Sequence, residues 1–504
     1  MGLPVTCSPL IKYGQINVAK QQSVKTLLVA AQFLVLFALS GCGSTSSNLC
    51  ADAQVVSSAE SARLSQGCNV SIRQSDETII IGNLIKDTGG AKCGAILVRD
   101  GHILDIGKIN TIKSKAPNAS VFDCSSSYIS PGLINPHEHP NWSGGFPDPM
   151  TRPVYSHRDE WRGVAGPEYY AVEFERVEED VQKFWIELRH LLSGTTTLAG
   201  SGGIDGLVKN AGWPTNGVEY SYPVEAKTFP YGFSATEELM GLSCPLAATE
   251  SRDPDVDSPA GTCYVPHIAE GTNCTAEIEG KFYLDYVSKN PGRRYSLIHG
   301  VGLSRSDVER LKTLDVTLIW SPRSNVVLYG TTVDIPNALR VGARIAISTD
   351  WSYSGSYNLL EEFRCAEHID NVQWDDHLSG SDYWRMATEH GAYSLDIEKL
   401  TGKLEQGLAA DIMIFRRRTN DLFGDLVSSE VSDVIATFVD GELLSGYSGS
   451  FDLSKLPAQC SHHIGQHFIC VDYAKDYSFS HEELLSSNKN AVPLFSPDRQ
   501  ASCE

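Results

Sequence analysis

The sequence predicts an α/β fold, in which a (β/α)8 (TIM) barrel carries a small β-sandwich domain formed by both chain ends. Short apolar strands alternate with helical stretches over more than about 250 residues, which is typical of a parallel sheet with helical crossovers. Similar hairpin signals, Asp100-Gly101 and Asp440-Gly441, lie far apart in the chain, each between two apolar runs. Two such hairpins favour one β domain shared by the two ends.

The individual elements follow from short apolar runs and from longer stretches without turn residues. The strand candidates of the barrel are 128–135, 195–199, 264–267, 295–299, 316–320 and 345–349, and the helix candidates are 172–192, 304–314, 357–366 and 381–395. We therefore expect the barrel over 131–404, the composite β domain over 76–130 and 405–450, and a disulfide-stapled C-terminal extension over 451–504.

Composition limits the class of protein and its partners. Of the 504 residues 41% are hydrophobic and 20% are charged, which is the balance of a globular chain and excludes wholesale disorder. Acidic residues outnumber Lys and Arg by 62 to 41, giving a net charge of −21. Such a surface repels phosphate backbones, so nucleic acid is not expected as a partner. The sequence leaves the oligomeric state open.

Residues 1–41 have the pattern of an export signal. Lys12, Lys20 and Lys25 precede the apolar run Thr26–Leu39, which is too short to span a bilayer. The next residues, up to Cys42, resemble the lipobox of bacterial lipoproteins, which implies lipidation of Cys42 and a flexible tether over 42–75. We expect an exported protein, lipid-anchored on the periplasmic side or cell surface and assigned to the outer membrane. The alternative is a buried apolar helix.

The cysteines also fit an oxidising compartment. The chain has 13 of them. Without Cys7 and Cys42 their number is odd, so at least one is unpaired or pairs with another chain. Sequence proximity suggests the pairs Cys50/Cys68, Cys93/Cys124, one pair within Cys244, Cys263 and Cys274, and Cys460/Cys470.

Potential metal ligands follow several predicted strands. His137 and His139 have the spacing that points two side chains the same way from an extended segment. Other strand ends carry His267, with Glu270 three residues later, and then His299 and Asp350. In a barrel these ends meet at one face. Three imidazoles and one carboxylate suit a borderline divalent ion such as Zn²⁺, with one position open for water.

These motifs resemble those of the amidohydrolase superfamily. The segments PGLINPHEH, PHIAEG, IHG, SPRSN and GARIAISTDW stand in that family's order, and the resemblance covers about residues 78–450. The His-x-x-Glu motif is typical of the branch with one metal, which holds cytosine and nucleoside-type deaminases, triazine hydrolases and imidazolonepropionase. The resemblance implies the barrel, the β domain from both termini and one divalent ion, with Zn²⁺ expected and Fe²⁺ or Mn²⁺ as alternatives.

The resemblance also implies a role for each side chain. His137, His139, His267 and Asp350 would bind the metal, and Asp350 would also take a proton from the activated water. His299 would stabilise the oxyanion, and Glu270 would carry a proton to the leaving nitrogen. The expected activity is hydrolysis of a carbon–nitrogen bond other than a peptide bond, in a small cyclic amide or amidine-like molecule.

Several alternatives remain at the level of sequence. The enzyme could be a deaminase releasing ammonia, a binuclear peptidase-like or ester-hydrolysing relative with Lys227 as a carboxylated bridge, or a non-catalytic ligand-binding lipoprotein. Glu138 points away from its neighbours and is predicted to be structural.

Loop residues after the strands leave further choices. Trp351 and Tyr353 are expected either to stack on a flat substrate or to pack internally. The segment Ser321–Asn325 is expected either to line the pocket or to form a turn that closes the top of the barrel. The segment His157–Arg162 is a specificity loop or a solvated charged stretch. The cluster around Cys460 and Cys470 favours a disulfide over a second metal site.

Overall fold

The computed structural model describes residues 50, 67–146, 154–165, 171–200, 202–212, 224–235, 238, 252–258, 261–495 and 503. The predicted signal sequence and Cys42 lie outside these residues. Most of the predicted tether also lies outside the described residues. Its described part, Cys50 and residues 67–75, contacts the β domain. Among the described residues, no helix combines the length and apolarity needed to cross a membrane.

Both ends of the chain contribute to one mixed sheet of ten strands. The strands are β1 Asn69–Ser71, β2 Glu77–Ile85, β3 Ala91–Arg99, β4 His102–Gly107, β5 Ser120–Pro131, β14 Ile412–Phe415, β15 Val434–Val439, β16 Glu442–Tyr447, β17 His462–Ile464 and β18 His467–Ile469. Their order in the sheet is β17-β18-β16-β15-β14-β5-β2-β3-β4, with β1 paired to β5. The predicted C-terminal extension thus adds two strands to the sheet edge. The two-layer sandwich stays a prediction.

The two hairpins in this sheet form where the sequence places them. β3 pairs antiparallel with β4 and β15 with β16. All four turn residues have positive φ, at 50° and 76° for Asp100 and Gly101 and at 48° and 75° for Asp440 and Gly441. Asp-Gly tolerates this left-handed backbone, which matches the twist of the strands it connects.

Eight further strands run parallel to their neighbours in chain order. They are β6 Leu133–Glu138, β7 Thr195–Gly200 and β8 Lys209–Ala211 in one sheet, and β9 Val224–Lys227, β10 Cys263–Ile268, β11 Tyr295–His299, β12 Val316–Trp320 and β13 Arg344–Ile347 in the other. A parallel bridge from Glu138 to Asp350 joins β6 to the segment after β13. The result is a TIM-barrel-like α/β fold with mixed sheets, whereas closure into a complete (β/α)8 barrel stays a prediction.

Thirteen α-helices occur among the described residues. They are α1 Ile109–Lys115, α2 Arg158–Trp161, α3 Asp180–Leu192, α4 Cys274–Lys289, α5 Arg305–Thr313, α6 Pro322–Tyr329, α7 Ile335–Val341, α8 Leu359–Gln373, α9 Gly380–Met386, α10 Glu389–Ser394, α11 Leu422–Val427, α12 Tyr473–Asp476 and α13 His481–Ser487.

Three helices differ from their predicted bounds. The helix expected over 172–192 begins only at Asp180, after an irregular stretch. The helix expected over 381–395 is two helices, because Thr388 has non-helical φ and ψ of −128° and −96°. The helix expected from 357 begins after Asn358, whose side chain accepts a hydrogen bond from the Glu361 amide as an N-cap.

The disulfides correct two predicted pairings. Cys50 pairs with Cys93 and Cys68 with Cys124, so Cys50/Cys68 and Cys93/Cys124 were wrong. The cause is strand pairing: antiparallel β1 places Asn69 opposite Asp123, which brings the two adjacent cysteines together.

Of the other cysteines, Cys460–Cys470 is confirmed. Cys274 is disulfide-bonded, and Cys263 is a free, buried thiol. The disulfide Cys365–Cys503, which links the C-terminal segment to α8, was not among the pairings predicted from sequence.

Candidate active site and metal centre

The predicted ligands converge at the carboxyl ends of the parallel strands. His137 lies near the end of β6 and His139 directly follows this strand, and their Nε2 atoms are 2.9 Å apart. Asp350 Oδ1 is 3.3 Å from each of these nitrogens. Potential ligand atoms form two overlapping groups within 4.8 Å, His137 with His139 and His267, and His137 with His299 and Asp350. Five side chains from four strand ends therefore share one small volume.

The donor set fits a divalent cation. Burial, together with the neighbouring imidazoles, holds the pKa of His137 and His267 well below the usual range, so both rings are neutral donors at neutral pH. At His139 burial acts in the same direction, but the hydrogen bond and charge of Asp350 outweigh it and raise the pKa. Nitrogen lone pairs and one carboxylate converging in a buried site are a combination that suits Zn²⁺ and similar ions.

Outer contacts fix the orientation of these side chains. His137 Nδ1 lies 3.2 Å from Ser321 Oγ, and His267 Nδ1 lies 3.3 Å from the Lys227 carbonyl oxygen. The Ser324 hydroxyl donates to Asp350 Oδ2 at 2.6 Å, which leaves Oδ1 to face the imidazoles. Such partners hold ligands in one rotamer and tautomer.

His299 is held by Asn325, whose Oδ1 lies 3.0 Å from His299 Nδ1. The Ser321–Asn325 segment is thus neither of the two loops considered from sequence. It forms the start of α6, and its polar side chains contact the site residues His137, Asp350 and His299.

Backbone strain concentrates at the same strand ends. His299 and Asp350 adopt φ of 69° and 66°, and Ala269, next to Glu270, adopts 56°. This left-handed region costs a residue with a side chain roughly 1–2 kcal/mol relative to ordinary backbone. The fully buried strands before them hold these residues in position, so that the chain turns sharply and presents the side chain at the sheet edge.

Glu270 lies in a buried position that suits proton transfer. It is 1% exposed, and its Oε1 accepts a hydrogen bond from the Tyr329 hydroxyl at 2.7 Å and lies 3.8 Å from His299 Nε2. Its Oε2 is buried without a hydrogen-bond partner among the described residues. Trp161 Nε1 donates in turn to the Tyr329 hydroxyl at 2.8 Å. Sequence reasoning missed Tyr329, whose only signal was its position at the end of the segment that follows β12.

Two other charged residues stand outside the ligand group. Glu138 accepts hydrogen bonds from Ser143 and Thr349 and lies 3.3 Å from His190. Burial would raise its pKa, but His190 and further donors lower it to about 2. It links β6 to the residue before Asp350, which is the structural position expected from sequence.

The side chain of Lys227 points away from the imidazoles. Its Nζ is 2.7 Å from carboxylate oxygens of both Asp255 and Asp257. Only its backbone carbonyl contacts a predicted ligand, His267.

A cavity of about 370 Å³ opens directly over these groups. Its floor contains His139, His267, Glu270, His299 and Asp350. Its walls are largely aromatic, formed by Trp142, Trp161, Phe174, Phe229 and Trp351. Trp351 packs on Phe174 and on Trp161, with ring centroids 5.1 and 5.3 Å apart, so it both packs internally and lines the cavity. A flat, largely apolar ligand would match this shape.

Comparisons with known proteins give several matches to this chain. Residues 267–444, about a third of the chain, match the model of the amidohydrolase family. A 5-methylthioadenosine/S-adenosylhomocysteine deaminase of Caldicellulosiruptor saccharolyticus is 31% identical over 156 residues, covering 29% of this chain and 36% of that protein. The same-named protein of Thermodesulfovibrio yellowstonii is 27% identical over 395 residues, covering 70% and 88%.

Solved structures that match this chain include E. coli guanine deaminase, with 16% identity, 74% and 99% coverage and a TM-score of 0.49. A zinc-bound adenosine deaminase from Xanthomonas campestris has 14% identity, 73% and 92% coverage and the same TM-score. The family model and the deaminase relatives support the amidohydrolase superfamily and a hydrolase that acts on carbon–nitrogen bonds. The ligand cluster supports a divalent metal.

Proposed function

We propose that this chain is a metal-dependent aminohydrolase, which replaces an amino group on a flat heterocycle with oxygen and releases ammonia. The observation that carries the proposal is the position of Glu270, a buried carboxylate with one unpartnered oxygen, between the metal-ligand cluster and an aromatic cavity. Two longer alignments support the deaminase alternative over ring opening. They cover about 70% of this chain, and both relatives are named as deaminases of adenine-containing compounds.

Each side chain has one task in this scheme. His137, His139, His267 and Asp350 would hold a single divalent ion, which when bound would lower the pKa of a coordinated water. Asp350 would also take a proton from the attacking water, and the Ser324 hydroxyl, which donates to its Oδ2, holds the carboxylate in place.

The other two groups act on the substrate. His299 faces the cavity through Nε2 and orients the reacting ring nitrogen and carbon. Glu270 carries a proton of the attacking water to the departing amine, which leaves as ammonia, and the proton taken up by Asp350 passes to the ring nitrogen of the product. Such positioned proton transfer is worth about 10²–10⁴ in rate.

The substrate class follows from the cavity and the reaction together. An amidine-like ring carbon bearing an amino group is electrophilic, and its planar ring would lie against the aromatic wall that Phe174 and Trp351 form. We therefore propose amino-substituted purines or related heterocycles as substrates, in line with the compounds in the names of the relatives.

The test is an ammonia-release assay on the Zn²⁺-loaded full chain with two panels of compounds. The amines are adenine nucleosides, guanine, cytosine and amino-triazines. The cyclic amides are hydantoins and imidazolones. Asp350→Asn serves as the blank. Ammonia from at least one amine, with no turnover by the blank, is expected. New carboxylate from the cyclic amides without any ammonia would replace deamination with ring opening, and activity equal in the blank would remove the site from the reaction.

We also propose that the protein is exported and anchored through a lipid on Cys42. The apolar run and lipobox-like residues before Cys42 support this, as do four disulfides among the described residues, because such bonds persist in oxidising compartments. Fractionation of cells that express the full chain tests it: Cys42→Ser should move the protein from membranes to the soluble fraction, and retention on membranes would refute the anchor.

A further inference from the structure

The cavity wall contains one permanently charged side chain. Arg162, directly after α2, is the only Arg or Lys among the described residues that line the cavity. Its guanidinium carbon lies 4.1 Å from the centre of the Phe229 ring, and its side chain is 32% exposed. It belongs to the segment His157–Arg162, which sequence alone left undecided between a specificity loop and a solvated stretch.

One edge of this guanidinium is available to a ligand. Nη1 lies 3.3 Å from Asp159 Oδ1, which is the only side-chain hydrogen bond or ion pair of Arg162 among the described residues. Nε and Nη2 therefore have no hydrogen-bond partner in the described part of the chain. Asp159 is itself fixed, because its Oδ2 accepts from the Ala235 amide at 2.9 Å and lies 3.5 Å from His157. Asp159 and Phe229 thus hold the guanidinium plane, with its second edge unused.

From this geometry we infer that Arg162 binds a carboxylate on the substrate, on the part of the molecule that does not react. The inference rests on the proposed function and specifies its substrate class: an amino-heterocycle joined to an acidic arm. Adjacent Nε and Nη2 donors form the fork that matches the two oxygens of a carboxylate.

Local charge favours a carboxylate over a phosphate. Arg162 is a single cation, and both Asp159 and Glu270 act on it electrostatically. The neighbouring Arg158 also acts on Arg162, but both of its terminal nitrogens are hydrogen-bonded to Glu279, so its charge is already paired. A dianion would meet Asp159 and Glu270 with only the charge of Arg162 to offset them, whereas a monoanion is matched. The chain as a whole carries −21, so long-range attraction does not bring anions to the pocket. Recognition of an acidic arm therefore depends on this local pair of donors.

Burial adds to the strength of such a contact. Burial lowers the pKa of Arg162 from its usual value, which means that part of the hydration of the cation is already lost. A charge-assisted, bidentate hydrogen bond in this setting is expected to change affinity by about 10–100-fold.

The test uses three adenine compounds that differ in the arm and share the reacting ring. These are adenosine 5′-carboxylic acid with a carboxylate, 5′-methylthioadenosine without charge, and adenosine 5′-monophosphate with a phosphate. In the Zn²⁺-loaded full chain, kcat/KM for the carboxylate compound should exceed that for the neutral one by about 10-fold or more. Arg162→Gln should reduce this ratio to about one, and Arg162→Lys, which keeps the charge without the fork, should give an intermediate ratio.

The matched control is Arg305→Gln, on α5, where the side chain is 70% exposed and is not among the residues that line the cavity. Its ratio should equal that of the unmodified chain. Calorimetric binding to Glu270→Gln supplies a readout without turnover: the carboxylate compound should bind more tightly than the neutral one, and Arg162→Gln added to this variant should abolish the difference. Near-native thermal unfolding of each variant shows that the fold is kept.

The outcomes separate this inference from the proposed function. Deamination with the same ratio in the unmodified chain and in Arg162→Gln overturns the role of Arg162 and leaves the aminohydrolase intact. A preference for the phosphate compound that depends on Arg162 overturns the carboxylate assignment. If none of the three compounds releases ammonia but the carboxylate compound binds in an Arg162-dependent way, then the reaction is wrong and the anion site stands.

Discussion

The most informative single substitution is Glu270→Gln. The side chain is buried, its Oε1 receives the Tyr329 hydrogen bond, and its Oε2 has no partner among the described residues. An amide of the same shape keeps an oxygen for Tyr329 but cannot carry a transferable proton. We therefore expect kcat to fall by about 10²–10⁴-fold, or about 3–5 kcal/mol in the barrier, while the metal content is unchanged.

The assay compares steady-state ammonia release, bound metal by mass spectrometry, and urea unfolding for the two proteins. Unfolding should change by less than about 1 kcal/mol, because no hydrogen bond is lost and the volume is conserved. Glu277→Gln is the control, since Glu277 lies exposed on the nearby helix α4. A Glu270→Gln enzyme with full metal and a kcat within threefold of the original would remove Glu270 from proton transfer.

Three other predictions rest on separate features. Removal of metal with a chelator should abolish turnover, and about one equivalent of Zn²⁺ should restore it both in the original chain and in Lys227→Gln; a requirement for two would revive the binuclear arrangement. Phe174→Ala should raise KM by about 3–10-fold with a smaller effect on kcat, because an aromatic wall of the cavity is lost; an unchanged KM would place the substrate elsewhere. Burial raises the pKa of Glu187 from 4.5 to about 8. Between pH 4.5 and pH 8, the Glu187 carboxyl is therefore protonated in the folded state and ionised in the unfolded state. The free energy of unfolding should fall by up to about 5 kcal/mol as pH rises through this range, and denaturation of Glu187→Gln at pH 5 and pH 8 should lack this contribution; an equal slope in both proteins would contradict it.

The strands and their terminal residues were the most predictable part of the molecule. β11 and β12 begin and end at the predicted residues, because short apolar runs bounded by polar residues mark buried strands well. The convergence of the histidines followed from one rule, that carboxyl ends of parallel strands share a face.

Features that depend on through-space pairing were not accessible from sequence. Tyr329 contacts Glu270 across 59 residues, and Cys365 pairs with Cys503 across 138. Nothing in the local sequence states either contact, because both depend on how α6 and the C-terminus pack on other elements. The strained backbone at His299 and Asp350 was equally hidden, since non-glycine residues in the left-handed region are set by tertiary constraint rather than by propensity.

The chemistry and the selectivity of this site come from different parts of the chain. The ligand cluster stands on ends of buried parallel strands, whereas Arg162 lies just after the short helix α2, within the long connection between β6 and α3. Substitution at Arg162 can therefore change which molecules enter without moving the groups that react with them. Trp161 is the exception, because it lines the cavity and also donates to the hydroxyl that holds Glu270. This one residue couples the substrate wall to the proton carrier, so changes at Trp161 should alter kcat and KM together, whereas changes at Arg162 should act on substrate choice.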